Sequence, residues 1–107
     1  LGAESQPCGV RDGGLNAGHV SSIRGVASTY GPAYGPQWLA LPEGAGVRVR
    51  VCGKASCIVR VSNDAGPSLA RQREGRIVDL SVRDFELVTG ASWRRGLAWV
   101  TVERLEP

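Results

Sequence analysis

The clearest pattern in the chain is the alternation Val47-Arg48-Val49-Arg50-Val51, in which every second residue is apolar and the residues between are charged. A period of two with one apolar and one solvated face predicts a half-buried β-strand. A second run, Ile58 to Val61, returns after Cys-Gly-Lys-Ala-Ser-Cys, so the two runs read as a hairpin; Val59 and Val61 are expected inside and Arg60 toward solvent. Further strands are expected over Ile23 to Tyr30 (IRGVASTY), Arg76 to Leu80 (RIVDL) and Leu97 to Leu105 (LAWVTVERL), where Trp99 is expected to be packed. Leu39 to Gly46 (LALPEGAG) reads as a short segment and a turn, and Gly31 to Gln37 (GPAYGPQ) as a Gly/Pro loop. Ser81 is a good N-cap, with Asp84 three residues on as an acidic variant of the capping box. The helix it starts runs over about 82–88 and stops at Gly90.

This order gives a mainly β fold of six short strands with one or two short helices. A small closed barrel is the expected form, because closure removes exposed sheet edges. Residues 1–22 are Gly-rich and irregular, with a turn at Arg11-Asp12-Gly13-Gly14, and read as an extended N-terminal arm. Residues 23–107 read as one domain, with no internal repeat or linker. Fifteen glycines and six prolines in 107 residues fit a turn-rich β protein.

The net charge of +3 is small and dispersed, and carried almost entirely by arginine. It favours weak contact with anionic surfaces and argues against nucleic acid, for which no helix-turn-helix, RNA-binding aromatic motif or zinc-finger spacing is present. No apolar run approaches the roughly 20 residues of a membrane span. The opening LGAESQPCGV lacks the charged and apolar parts of a signal peptide, as a mature or trimmed domain would. A hairpin with a four-residue loop places Cys52 and Cys57 opposite each other, within disulfide reach, which favours an oxidising, extracytoplasmic location. Cys8 is then left over, either free or paired elsewhere. With a single histidine, His19 in the arm, no metal site and no cofactor are expected.

Two carboxylates stand at the ends of β segments, Asp64 in Val61-Ser-Asn-Asp-Ala-Gly-Pro67 and Asp79 in Arg76-Ile-Val-Asp-Leu80. Strand ends hold side chains firmly, and a pair of carboxylates in an open groove is what a polysaccharide site needs. Each also has a plainer role: Asp64 as a turn residue accepting backbone N–H bonds, Asp79 as an anchor for the helix start. Tyr30, Tyr34, Trp38 and Trp93 are candidates for a surface on which sugar rings stack, or for filling the barrel and its ends. Arg48, Arg50 and Arg60 read as a solvated face, or as contacts to anionic wall polymers.

Five collinear stretches carry a family resemblance. They are Gly25-Val-Ala-Ser-Thr-Tyr30, Leu41-Pro-Glu-Gly-Ala-Gly-Val-Arg-Val49, Val61-Ser-Asn-Asp-Ala-Gly-Pro67, Gly75-Arg-Ile-Val-Asp-Leu-Ser81 and Gly96-Leu-Ala-Trp-Val-Thr-Val102. In this order they resemble the double-psi β-barrel domains of the rare lipoprotein A and expansin group. The resemblance implies a six-stranded double-psi barrel over residues 23–107. It implies that Asp64 matches a carboxylate of the peptidoglycan-cleaving lytic transglycosylases, that Asp79 matches the carboxylate used by expansin-like domains, and that Ser28 matches a small hydroxyl residue of the same groove. Two positions depart from the cleaving branch: Trp38 stands where a histidine precedes the Leu-Pro turn, and Ala65 replaces an arginine. These departures favour binding over cleavage. The expected function is therefore a secreted, monomeric module that binds cell-wall polysaccharide of peptidoglycan type, or a protein partner, through the groove. The alternative is a lytic transglycosylase or expansin-like wall-loosening enzyme with Asp64 as acid/base and Asp79 in support.

Overall fold

The computed structural model describes residues 22–105; the expected arm, with Cys8 and His19, lies outside the described residues except for Ser22. Seven strands form one sheet: β1 (Ser22–Thr29), β2 (Leu39–Leu41), β3 (Arg48–Cys52), β4 (Cys57–Val61), β5 (Asp64–Ala65), β6 (Arg76–Leu80) and β7 (Leu97–Arg104). Helix α1 (Leu69–Gln72) lies between β5 and β6, α2 (Val82–Thr89) follows β6, and a 3-10 turn (Trp93–Arg95) leads into β7. The hydrogen-bonded order is β4-β3-β7-β1-β6-β2-β5. The β1/β6 and β2/β5 pairs are parallel and the rest antiparallel.

Two expectations change here. The strand count is seven, not six, because Asp64–Ala65, read as a turn, pairs with β2 through Ala40 and Leu41. The sheet is a curled half-barrel, not a closed one, with β4 and β5 at its two edges. These edges are consecutive in the chain. Backbone bonds from the link between them, Ser62 N–H to Val47 O at 2.8 Å and Asn63 N–H to Leu39 O at 3.0 Å, tie it back to neighbouring segments.

Alternation decides which residues face the concave side. Ala27, Leu39, Leu41, Val49, Val51, Ile58, Val78, Leu80, Val100 and Val102 form the core with Phe85 and Val88 of α2. Each large side chain buried there contributes on the order of 2 kcal/mol. The inside/outside assignment of β4 is the reverse of that expected. Val49 and Val51 face the core, and their cross-strand partners, Arg60 and Ile58, share that face. Val59 and Val61 are therefore exposed. Arg60 is accepted inside because its guanidinium grips Asp84 of α2, Nε to Oδ2 and Nη2 to Oδ1, both at 3.0 Å. Cys52 and Cys57 pair across the hairpin as a disulfide.

Helix α2 has the expected boundaries to within a residue. The Ser81 hydroxyl accepts the Asp84 N–H at 3.1 Å. Gly90, with φ of 73°, ends the helix in the left-handed conformation, its N–H donating to Glu86 O at 2.8 Å. The Asp84 carboxylate does not complete a capping box; it is committed to Arg60, and the Ser81 N–H goes to Trp38 O at 3.1 Å.

Candidate functional site

Residues that alternate with the core residues point to the convex face, and register lines them up. Ser28 of β1 stands opposite Asp79 of β6, Asp79 opposite Ala40 of β2, and Ala40 opposite Asp64 of β5. Leu97 of β7 stands on the other side of Ser28. A single row, Leu97–Ser28–Asp79–Ala40–Asp64, thus crosses five strands. With strands about 4.8 Å apart, the backbones of Asp64 and Asp79 are separated by two spacings, about 10 Å. Ala40 between them is fully buried, with the Gly66 segment over it, so the row is covered at its centre.

Asp79 is half-buried. The Ser28 hydroxyl donates to its Oδ1. Burial raises the Asp79 pKa above the ordinary aspartate value, and the Asp64 charge adds to this; the Ser28 bond and Arg76 oppose it. Asp79 is therefore the carboxyl of the row held toward its protonated form. Asp64 is exposed, and its Oδ1 accepts the Ala65 N–H at 2.8 Å, so its turn role is present together with its place in the row.

Gly66 forms the wall beside Asp79. A Cβ there would lie 3.0 Å from Asp79 Oδ2, 3.4 Å from the Ala40 methyl and 3.7 Å from the Tyr30 hydroxyl. At φ of 156°, this backbone also disfavours any other residue. The Tyr30 hydroxyl points into the same spot and has no hydrogen-bond partner among the described residues. Its pKa is pushed far above the ordinary tyrosine value, first by burial and then by the Asp79 and Asp64 charges. It remains a neutral donor, buried from solvent.

The aromatic loop joins β1 to β2 and so sits beside the row, next to Ser28 and Ala40. Tyr34 and Trp38 are stacked, with ring centroids 4.2 Å apart and planes 10° from parallel. Tyr30 packs tilted against both. Tyr34 is 50% exposed. The start of α2 holds this loop: the Ser81 hydroxyl donates to Pro36 O at 2.7 Å. A depression of about 350 Å³ lies beside it, lined by Tyr34, Pro36, Ser81, Arg83 and others.

The structure thus brings together Ser28, Tyr30, Tyr34, Trp38, Asp64 and Asp79. Trp93 is not among them; it follows α2 and packs partly buried against the core. Trp99, expected to be packed, is 58% exposed. The reason is parity: Val100 and Val102 face the core, so Trp99 faces out, next to Val26. Strand alternation carries that parity, and exposure follows it rather than the hydrophobicity of tryptophan.

Compared with solved structures, the fold matches the expansin of Clavibacter michiganensis. The structure of a point mutant of that protein in complex with cellohexaose superimposes with a TM-score of 0.60 at 15% identity, covering 80% of this chain and 51% of the expansin. Its apo structure matches with a TM-score of 0.60 at 16% identity and the same coverage. The present chain spans about half the length of those expansin chains. No protein-family model matches. No curated protein matches either. The fold is that of an expansin-like double-psi β-barrel domain.

Proposed function

We propose that this domain binds a β-1,4-linked cell-wall polysaccharide across its convex face, in an extracytoplasmic location. The observation that carries the reading is the row Ser28–Asp79–Ala40–Asp64 running beside the stacked Tyr34/Trp38 pair. Aromatic faces pair with the C–H faces of pyranose rings. The carboxyls of Asp79 and Asp64 offer hydrogen-bonding groups to sugar hydroxyls. The cellohexaose bound by the structural relative supports a glucan-like backbone as ligand. Peptidoglycan shares the β-1,4 linkage and is the target implied by the rare lipoprotein A resemblance. The Cys52–Cys57 disulfide supports an oxidising compartment.

A second, enzymatic reading rests on Asp79 being held toward its protonated form. In a lytic transglycosylase, the acid protonates the glycosidic oxygen as its bond to C1 breaks. The resulting carboxylate takes the proton of the sugar's own 6-hydroxyl, and O6 bonds to C1 to give a 1,6-anhydro end. One carboxyl with a raised pKa suffices for both transfers. On this reading Asp79 is the acid.

Both readings are tested by incubating the protein with peptidoglycan sacculi and with insoluble cellulose, beside Asp64→Asn and Asp79→Asn. Retention on either polymer without released fragments establishes the binding module. Anhydro-muropeptides released by wild type and lost in Asp79→Asn establish the enzyme. Neither retention nor release would remove wall glycans as the target.

A further inference from the structure

The convex face does not end at the carboxylate row. One step along β1 and β7, Val26 stands opposite both Trp99 and Arg76, and the next step pairs Arg24 with Thr101. Trp99, Val26 and Arg76 thus form a second row parallel to the first. Two strand spacings across and two residues along put the Trp99 backbone about 12 Å from that of Asp79. We propose that Trp99, with Arg24 and Arg76, forms a second sugar position in the groove, one that selects a carboxylate-bearing residue of the glycan. This rests on the polysaccharide reading above and narrows it to acidic glycans.

Three observations carry it. Trp99 spends a large apolar ring on solvent in the middle of an eight-residue strand, where its neighbours Val100 and Val102 are buried. The Arg24 guanidinium lies 4.8 Å from the centre of that ring, so the cation is held at the aromatic position. Arg24 has no carboxylate partner among the described residues, a property it shares with Arg48, Arg73, Arg83, Arg94 and Arg95, but it alone of these lies over the Trp99 ring. Arg76 contributes a second positive charge in the Trp99 row, its own pairing to Glu74 being a looser 3.6 Å. The nearby carboxylate on β7, Glu103, is already neutralised by Arg50 at 2.8 Å. The position therefore offers a stacking face and net positive charge, with the planar donors that match a carboxylate. A neutral glucan would use the ring alone; a glycan of uronic acids or lactyl-bearing sugars would use both.

Calorimetric titration of the whole chain with cellohexaose and with its C6-oxidised, uronate-bearing counterpart tests this. At low ionic strength the oxidised hexamer is expected to bind about tenfold tighter, the scale of one charge-assisted hydrogen bond. Arg24→Gln should remove that preference while leaving cellohexaose affinity within about twofold, and Trp99→Ala should weaken both ligands by about five- to tenfold. Both side chains are exposed, so melting temperatures should barely move and loss of fold is not confounding. Equal binding of the two hexamers, a preference that survives Arg24→Gln, or an unchanged Trp99→Ala overturns this proposal alone. Failure of the wild type to bind either hexamer, soluble or as the insoluble polymer, takes the polysaccharide reading down with it.

Discussion

The ion pair between Arg60 and Asp84 makes an asymmetric prediction. The Asp84 side chain has no solvent exposure, and its side-chain hydrogen bonds among the described residues both come from Arg60 at 3.0 Å. The Arg60 side chain keeps 26% exposure and also donates to Val59 O at 3.0 Å. Arg60→Met therefore strands a carboxylate with no access to water, at an expected cost of about 3–5 kcal/mol. Asp84→Ala leaves a guanidinium that can swing into solvent, so only the two charge-assisted bonds and a small volume are lost, about 2–3 kcal/mol. Arg60→Met with Asp84→Leu leaves no charge buried and should fall within about 1 kcal/mol of wild type. Urea unfolding of the four proteins at neutral pH, at constant m-value, measures the cycle. Equal costs for the single variants, or a double variant whose loss is the sum of theirs, would refute the argument. The pair also matters to the site: it fixes α2, whose first residues hold the Tyr34/Trp38 loop through Ser81.

Three further outcomes are expected. Because burial raises the folded-state pKa of Asp79, the stability linked to it is fully present below the unfolded aspartate value and is lost as pH rises through the raised one; Asp79→Asn should match wild type in acid and be the more stable protein at neutral pH, as read by urea melts at both. Gly66→Ala should cost about 1–3 kcal/mol, from its φ of 156° and the new contact with Asp79, and should weaken glycan retention on cellulose or sacculi as well. Cys57→Ser opens the short loop closed by the disulfide and should lower stability by about 2 kcal/mol on the chain-entropy scale, a difference that disappears when wild type is reduced.

Much of the fold was legible from local pattern. The strands over Arg48–Cys52, Cys57–Val61 and Arg76–Leu80, the Ser81 cap, the Gly90 stop and the disulfide all depend on neighbours within a few residues, and each was placed correctly. The errors have a common origin. Whether Arg60 or Val59 faces inward depends on the partner strand and on Asp84, 24 residues away in sequence. Asp64–Ala65 is a strand only because β2 lies alongside it. Trp99, expected to be packed, faces solvent because burial follows what covers a residue, not its hydrophobicity.

The site divides in the same way. The sequence by itself determined its chemistry: two aspartates at strand ends, a small hydroxyl residue, a loop carrying Tyr34 and Trp38, and a resemblance that named the fold. Only the tertiary structure decided that Ser28, Asp79, Ala40 and Asp64 form one row, that burial and a neighbouring charge set Asp79 apart from Asp64, and that Trp99 and Arg24 continue the same face. Strand alternation is a local property of the chain. Register between strands from distant parts of it, and the burial that follows, exists only once the sheet has curled around its core.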